Sequence, residues 1–328
     1  MLVYLSMQFR ILFIVLLFIT GCNTTPPSET IGNPVGNLTA RSQEFTLAEA
    51  RYGHSVANDG EKIFVFGGTT SSGFSGDIEI IDPQTNTSLL LKSKLIPRRY
   101  FSAVWDGRES VYIIGGMSLE GRRPYLQSAV EVFNTRTHEV TQAPSHTRAT
   151  RMNTAVYSDD KIYVFGGTTA SAGLRKGLKH VPWVSVYDTK TQQWTESDEM
   201  PVAYATEAVV YNNAIYLAGG FNGRKQFDTF YQFIPASSQW RELTSLPVET
   251  SAHAMTVINN DLYTFGNYDE LEQTLRYNFD TGQWSNANLP LVPRRHAATT
   301  TLGSDIYVIG GTVSRTDLFV DSVQIFTF

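Results

Sequence analysis

The chain lacks most of the residues and patterns on which common sites are built. Cys22 is its only cysteine, so no disulfide can form within it. The six histidines are scattered without a paired metal-ligand spacing, and no phosphate-cradling glycine loop or nucleophile elbow is present. Charged residues make up only 17% of the sequence against 12% aromatics, which excludes a disordered chain and fits an all-β core. We predict no metal and no other cofactor.

An apolar run that ends in a glycine pair recurs along the chain about every fifty residues. Five copies are intact, and a sixth is broken to Gly266-Asn267. A fixed period of this length predicts one supersecondary unit copied in a ring or an array. The intact pairs are Gly67-Gly68, Gly115-Gly116, Gly166-Gly167, Gly219-Gly220 and Gly310-Gly311.

Each unit has the signals of four strands. Two short apolar runs joined by a polar turn predict a hairpin whose second strand ends at the glycines, and a third strand follows. In three units the fourth strand carries a tryptophan, namely Trp194, Trp240 or Trp284. Most units close with a hydrophobic residue and a proline, which stops the strand.

The glycine pair, the aromatic that ends the third strand, the tryptophan and a leading arginine together resemble the kelch motif, over roughly residues 43–328. The resemblance implies an all-β fold, a six-bladed β-propeller with four antiparallel strands in each blade around a central channel. The sixth unit stops after its third strand, while residues 43–48 precede the first unit with nothing else to pair with. We predict that this amino-terminal strand completes the last blade and closes the ring.

The first residues have the basic, hydrophobic and small-residue parts of a secretion signal. Arg10 precedes a run over residues 11–20 that is too short to span a bilayer. Ile19-Thr20-Gly21-Cys22 resembles a bacterial lipobox, which implies acylation of Cys22. The alternative is a buried thiol in an uncleaved anchor. The sequence leaves open whether translation starts at Met1 or Met7.

We therefore predict three segments. Residues 1–21 form a lipoprotein signal peptide, residues 22–42 a lipidated cysteine with a flexible tether, and residues 43–328 the propeller. Asn23 after the cysteine is similar to the pattern that sends lipoproteins to the outer membrane. The predicted location is the outer membrane, on its periplasmic or surface face, with contact to the membrane through the lipid anchor only.

Basic residues are sorted to one end of the units, although the formal net charge is -5. Fifteen of the 26 lysines and arginines fall in the connections that enter the first strands or leave the glycine pairs, and in the implied fold these open on one face around the channel. They are Arg51, Arg98, Arg99, Arg122, Arg123, Arg148, Arg151, Arg175, Lys176, Lys179, Arg224, Lys225, Arg294, Arg295 and Arg315.

Alignment of the units on their glycines gives one equivalent position to Arg51, Arg99, Arg151 and Arg295, with Tyr204 and Ser251 replacing the arginine in two units. One interpretation assigns these arginines to the scaffold, bonding carbonyls between blades. The other lets them converge on an anionic group, together with Arg122, Arg123, Arg175 and Arg224. Kelch domains of eukaryotic adaptors look similar in holding acidic peptides with such arginines. The ligand expected under this interpretation is an anionic glycan or an acidic peptide or protein.

Two further residues are candidates for polar groups in the channel. Glu207 and His54 align with small residues of the other first strands, although a satisfied structural role is the alternative for both. The fifth unit places Asp269, Glu270 and Glu272 after its broken glycine pair, either as a solvated loop or as the acidic side of a bipolar rim.

The sequence predicts a membrane-tethered, monomeric binding protein that does not bind nucleic acid, because the basic rim is small and the chain is acidic overall. Copper radical oxidases similar to galactose oxidase need a cysteine crosslinked to tyrosine, and Cys22 lies outside the repeats. Exported sialic acid mutarotases resemble the chain more closely, being six-bladed and metal-free. The alternative function is therefore a mutarotase or epimerase of an acidic sugar, with Glu207 or His54 as catalytic residues beside Arg99 and Arg151. Whether the chain is catalytic is left open.

Overall fold

The computed structural model describes residues 44–170, 177–314 and 318–328. All regular structure in these ranges is β-strand, arranged in six four-stranded antiparallel sheets and three small hairpins. This confirms the predicted six-bladed propeller. Among the described residues, no helix could cross a membrane. The predicted signal peptide and tether, with Cys22, lie outside the described residues, as do Arg175, Lys176 and Arg315.

The strands follow the chain blade by blade, except that β1 (Glu44–Thr46) belongs to the last blade. Blade 1 has β2 (Ser55–Asn58), β3 (Ile63–Phe66), a projecting hairpin of β4 (Thr69–Thr70) and β5 (Gly73–Phe74), then β6 (Ile78–Asp82) and β7 (Thr87–Leu91). Blade 2 has β8 (Ser102–Trp105), β9 (Ser110–Ile114), a hairpin of β10 (Met117–Glu120) and β11 (Arg123–Leu126), then β12 (Val130–Asn134) and β13 (Val140–Ala143). Blade 3 has β14 (Thr154–Ser158), β15 (Lys161–Phe165), a hairpin of β16 (Thr168–Ala170) and β17 (Leu178–His180), then β18 (Val184–Asp188) and β19 (Gln193–Ser197).

Blades 4 to 6 have no projecting hairpins among their described residues, and the first three strands of blade 4 are longer than the strands of the other blades. Blade 4 has β20 (Ala205–Tyr211), β21 (Ala214–Phe221), β22 (Gln226–Ile234) and β23 (Gln239–Glu242). Blade 5 has β24 (Ala254–Ile258), β25 (Asp261–Phe265), β26 (Thr274–Asn278) and β27 (Gln283–Asn286). Blade 6 has β28 (Ala298–Leu302), β29 (Asp305–Ile309), β30 (Ser322–Thr327) and, as its outer strand, β1.

The first strand of every blade faces the central channel. Each of these inner strands contacts the next one round the ring, and β28 of blade 6 contacts β2 of blade 1. Because the second strands are mostly apolar on both faces, they are buried between neighbouring sheets for most of their length, and Ile63–Phe66 is buried throughout. The ring is thus held together by hydrophobic cores between adjacent blades.

The three tryptophans stabilise contacts between blades. Trp194 lies opposite Tyr187 on the neighbouring strand, and Trp284 lies opposite Tyr277 in the same way. The indole Nε1 of Trp194 donates to the carbonyl of Pro144 at 2.9 Å, which ties blade 3 to the closing segment of blade 2. The half-buried indoles of Trp240 and Trp284 donate in the same way to the carbonyls of Asp198 at 3.4 Å and Thr244 at 2.9 Å, each in the preceding blade's closing segment.

The two ends of the described chain meet in blade 6. Strand β1 pairs antiparallel with β30, with Phe45 opposite Val323. The backbone N–H of Leu47 donates to the carbonyl of Asp321 at 2.7 Å, and the Leu47 side chain packs into the core between blades 6 and 1. The predicted closure of the ring by an amino-terminal strand is confirmed.

The glycine pairs let the backbones of neighbouring blades approach closely. Gly166 has φ +54°, and a Cβ there would lie 2.4 Å from the carbonyl oxygen of Tyr204 in the next blade. The N–H of Gly167 donates to that same oxygen at 3.0 Å. The repeated glycines are thus a requirement of the scaffold.

Candidate functional site

A cavity of about 1050 Å³ opens at the end of the channel where the connections leaving the glycine pairs meet those entering the inner strands. We call this opening the channel mouth. Its walls include Arg99, Tyr100, Arg151, His180, Glu207 and Asp269. Cavities of this size that combine apolar walls with a few convergent polar groups are the usual ligand sites of proteins.

The backbone shows which residues of the blades are equivalent at the mouth. Arg99, Arg151 and Arg295 each form an isolated bridge with the residue two places after the first glycine of their own blade. In blade 1 the residue in this bridge is Tyr52, which pairs with Thr69. The alignment that placed Arg51 with the mouth arginines is therefore wrong by one residue.

Arg51 belongs instead with Arg98 and Arg294, and all three are fully buried. Arg98 Nη1 donates to the carbonyl of Gly115 at 3.1 Å, and its Nη2 forms an ion pair with Glu131. Arg51 Nη1 donates to the carbonyl of Gly67 at 3.0 Å, and Glu79 lies 3.8 Å from its Nη2. Burial lowers the pKa of Arg51 and Arg98, and Glu79 and Glu131 oppose this. For these arginines the scaffold interpretation applies.

Arg99 and Arg151 face the cavity from blades 2 and 3. Arg99 Nη1 donates to the hydroxyl of Tyr52 at 2.9 Å, and its guanidinium lies 5.2 Å from the Tyr100 ring. Arg151 Nε donates to Thr168 Oγ1 at 3.2 Å, and its guanidinium lies 5.9 Å from the same ring. In the described ranges neither guanidinium has a carboxylate within ion-pair distance. Burial lowers the pKa of Arg151, and the charge of Arg99 lowers it further.

Arg295 and Tyr204 do not reach the cavity. Arg295 is buried, with Nη1 donating to the carbonyl of Tyr268 at 2.7 Å and its guanidinium 4.1 Å from the Tyr268 ring. Tyr204 is fully buried beside Gly220. Its carbonyl accepts a hydrogen bond from the N–H of Gly167, the second glycine of the preceding blade. The carbonyl of Arg98 accepts the equivalent bond from Gly68. Tyr204 is therefore the counterpart of the scaffold arginine Arg98, a second correction to the alignment.

The remaining basic residues are divided between the mouth and its surroundings. Arg224 lies in the exposed turn between β21 and β22 and lines the cavity, as does Lys225. Arg122 and Arg123 are exposed at the tip of the β10–β11 hairpin, away from the cavity wall. The structure thus gathers Arg99, Arg151 and Arg224 at one site and leaves Arg51, Arg295, Arg122 and Arg123 outside it.

Glu207 is the acidic side chain on the inner strand of blade 4. Glu207 pairs with Ala218, the residue before the first glycine of its blade. In blades 3 and 1 the residues that pair at this position are Thr154 and Ser55, so small residues take the place of Glu207 there. A register shift at Ala205/Glu207 marks a β-bulge, a device that re-aims side chains near functional sites. Glu207 lines the cavity, and burial of its carboxyl in the cavity wall raises its pKa to about 8. At neutral pH it is mostly a neutral acid.

His54 is not the counterpart of Glu207, because Ser55 is. Its ring is buried against the glycine pair of blade 6, and burial lowers its pKa to about 3. The two candidates also sit in blades 1 and 4, which are opposite one another in a six-bladed ring. The structure does not bring them together as an acid and base pair. Among the described residues, histidine, cysteine, aspartate and glutamate form no group of three placed to hold a metal ion.

Several aromatic residues at the mouth were missed by the sequence analysis. Tyr100 stands between Arg99 and Arg151, and its ring lies 6.1 Å from that of Tyr52 and 5.3 Å from that of His296. Burial lowers the pKa of His296 to about 4, so it is neutral at physiological pH. An aromatic directly after an arginine, as in Arg99-Tyr100, was the available signal.

Comparison with known proteins agrees with this architecture. The family model of the KLHDC2/KLHL20/DRC7 Kelch-repeats domain matches residues 37–201 and 152–328. The Kelch-like protein terF of Aspergillus terreus is 26% identical, over 70% of this chain and 53% of that protein. The spermatocyte protein spe-26 of Caenorhabditis elegans is 26% identical, over 68% of this chain and 39% of that protein. Human Kelch-like protein 38 is 27% identical, over 47% of this chain and 27% of that protein.

The chain spans about half or less of the length of these curated relatives. The family match, in contrast, covers every blade of the ring. The chain belongs to the kelch-repeat family, whose propellers are protein-interaction domains.

Proposed function

We propose that this propeller binds a carboxylate-bearing segment of a partner at the channel mouth. The observation that carries the proposal is the contrast between two arginine layers. Arg98 forms an ion pair with the buried carboxylate of Glu131. In the described ranges, the guanidinium groups of Arg99 and Arg151 contact only hydroxyl groups, a thioether and aromatic rings. An acidic ligand would supply the missing counter-charge.

The physical gain from such a ligand is twofold. A guanidinium binds a carboxylate through two parallel hydrogen bonds, which are shorter and stronger than neutral ones. An anion between Arg99 and Arg151 also relieves the repulsion between two like charges held in a partly buried site. Arg224 and Lys225 extend the positive side of the mouth to blade 4.

The test is a glycan and peptide array probed with the wild-type protein and with the variant Arg99→Gln, Arg151→Gln. We expect binding of acidic peptides to fall at least about tenfold in the variant, since a hydrogen bond to a charged group contributes about 1.5–3 kcal/mol. Arg241→Gln, on the exposed outer strand β23, is the matched control and should bind like wild type. Equal binding by the double variant contradicts the proposal, and binding to acidic glycans alone assigns the site to a sugar.

We also propose that the chain is exported and tethered to the outer membrane through an acylated Cys22. The support is the sequence Ile19-Thr20-Gly21-Cys22 after a short apolar run. Cells fed radiolabelled palmitate should label the wild-type protein and leave Cys22→Ser unlabelled. Labelling of the serine variant, or wild-type protein that stays unlabelled, would overturn the tether.

A second candidate function rests on Glu207. A neutral carboxylic acid that faces a cavity beside arginines is the arrangement a general acid for an anionic sugar needs. We expect an acceleration of N-acetylneuraminate anomerisation, followed by nuclear magnetic resonance, to be abolished in Glu207→Gln and retained in Glu242→Gln on exposed β23. Absence of acceleration by the wild-type protein removes this candidate.

A further inference from the structure

Exposed apolar side chains are concentrated on the face that carries the channel mouth. In the described ranges six large apolar side chains are exposed, and five of them sit in the connections around the mouth. Leu318 is 60% exposed and Leu119 46%, values far above those of a packed leucine. We call the five the apolar rim, and they are Leu119, Tyr125, Leu178, Val248 and Leu318.

Short backbone contacts anchor these residues to the mouth. Leu119 and Tyr125 lie on the β10–β11 hairpin, whose first residue Met117 pairs with Arg99. Leu178 on β17 is itself part of the cavity wall. On the other side of the ring, the carbonyl of Leu318 accepts a hydrogen bond from Thr312 Oγ1, and Thr312 pairs with Arg295, the residue before His296 of the cavity wall.

Apolar residues spaced around a polar centre are the pattern of a protein interface, in which exposed apolar groups are covered on binding. Here the centre is the pair Arg99 and Arg151, whose charges lack a carboxylate in the described part of the chain. We propose that the partner is a protein segment in which apolar residues flank an acidic one, so that the carboxylate meets Arg99 and Arg151 while the flanking residues pack on the apolar rim. This rests on the function proposed above and specifies its ligand.

The same face carries exposed carboxylates among basic residues such as Arg122, Arg123 and Arg224, and this mixed charge favours a protein over an anionic lipid surface. Glu120 follows Leu119 at the hairpin tip, and Glu249 follows Val248 at the cavity wall. Asp269 is also exposed there, fixed by a hydrogen bond of 2.6 Å from Gln226 Nε2. These carboxylates would be repelled by anionic headgroups, whereas a protein segment can present matching groups to them.

The experiment uses an array of peptides with a central glutamate flanked by leucine or by serine at varied spacing, and the same peptides with a central glutamine. It compares the wild-type protein with the variant Leu119→Ser, Leu178→Ser, Leu318→Ser. The matched control is Leu89→Ser, because Leu89 is 52% exposed but lies on the outer strand β7, away from the mouth. Since all four side chains are exposed, thermal unfolding should be the same in every variant.

We expect the best leucine-flanked glutamate peptides to bind about tenfold more tightly than their serine counterparts. That advantage should persist in Leu89→Ser and vanish in the triple variant. Glutamate-dependent binding without a leucine advantage overturns the apolar rim and leaves the acidic site standing. Binding that ignores the glutamate, or no binding, overturns both. If the triple substitution abolishes binding to phosphatidylglycerol vesicles and leaves the peptides unaffected, the rim is a membrane contact and the inference is wrong.

Discussion

Replacing Arg98 by methionine should lower the free energy of unfolding by about 3–5 kcal/mol, the usual effect of breaking a buried ion pair from one side. The substitution removes hydrogen bonds to the carbonyls of Gly115 and Ala129. It also leaves the carboxylate of Glu131, which is nearly inaccessible to solvent, without its cation. Burial already raises the pKa of Glu131 and Arg98 opposes that rise, so loss of Arg98 is expected to raise the pKa of this carboxyl further.

The neighbouring substitution Arg99→Met is the natural control. Arg99 is only half-buried and faces the cavity, so its loss should change the free energy of unfolding far less than that of Arg98 while weakening binding of an acidic peptide. Chemical denaturation monitored by tryptophan fluorescence measures the stability of both variants. Equal destabilisation by the two substitutions would show that the division into scaffold and mouth arginines is wrong.

Loss of strand β1 should have the second large effect. Leu47→Ala alone is expected to lower the free energy of unfolding by about 2–5 kcal/mol, because the side chain is buried in the core between blades 6 and 1. Deletion of residues 43–50 should cost more, since it also removes the pairing with β30 and the bond from Ala48 N–H to Glu79 Oε1. The exposed edge of β30 would then promote association between molecules.

Thermal unfolding and gel filtration measure these two consequences. Thr46→Ala is the matched substitution, because Thr46 lies on the same strand with its side chain exposed, and it should leave the unfolding temperature nearly unchanged. A deletion variant that melts like the intact chain and stays monomeric would contradict the role assigned to β1.

The fold could be predicted from the sequence because its strongest signals are local. A glycine at the end of a buried strand is needed where two backbones approach closely, so the intact pair in five blades and Gly266-Asn267 in blade 5 together give the number of blades. The closure by β1 followed from an unpaired strand at each end of the repeats. These inferences required only periodicity and the rule that sheet edges are covered.

The site was harder to predict because it depends on register. Blades 2 and 6 carry adjacent arginines, Arg98-Arg99 and Arg294-Arg295, whereas blade 1 carries only Arg51. A shift of one residue along a strand moves a side chain from the protein interior to the channel side, and the spacing of the glycines does not determine the alignment to within one residue. The same uncertainty of one residue in the alignment gave His54 the position equivalent to Glu207, which the register assigns to Ser55. Both His54 and Glu207 nevertheless line the cavity.

The pairing of β1 with β30 also imposes an order of assembly. Glu44 pairs with Gln324, so β1 has no partner until β30, which comes five blades later in the chain, has been synthesised. The first five blades can form as the chain emerges, but the sixth depends on a contact between residues far apart in sequence, which is slow to form. His296 of the cavity wall and Leu318 of the apolar rim belong to that last blade. The channel mouth is therefore incomplete until blade 6 has formed, and a propeller truncated before that blade would lack part of its binding surface.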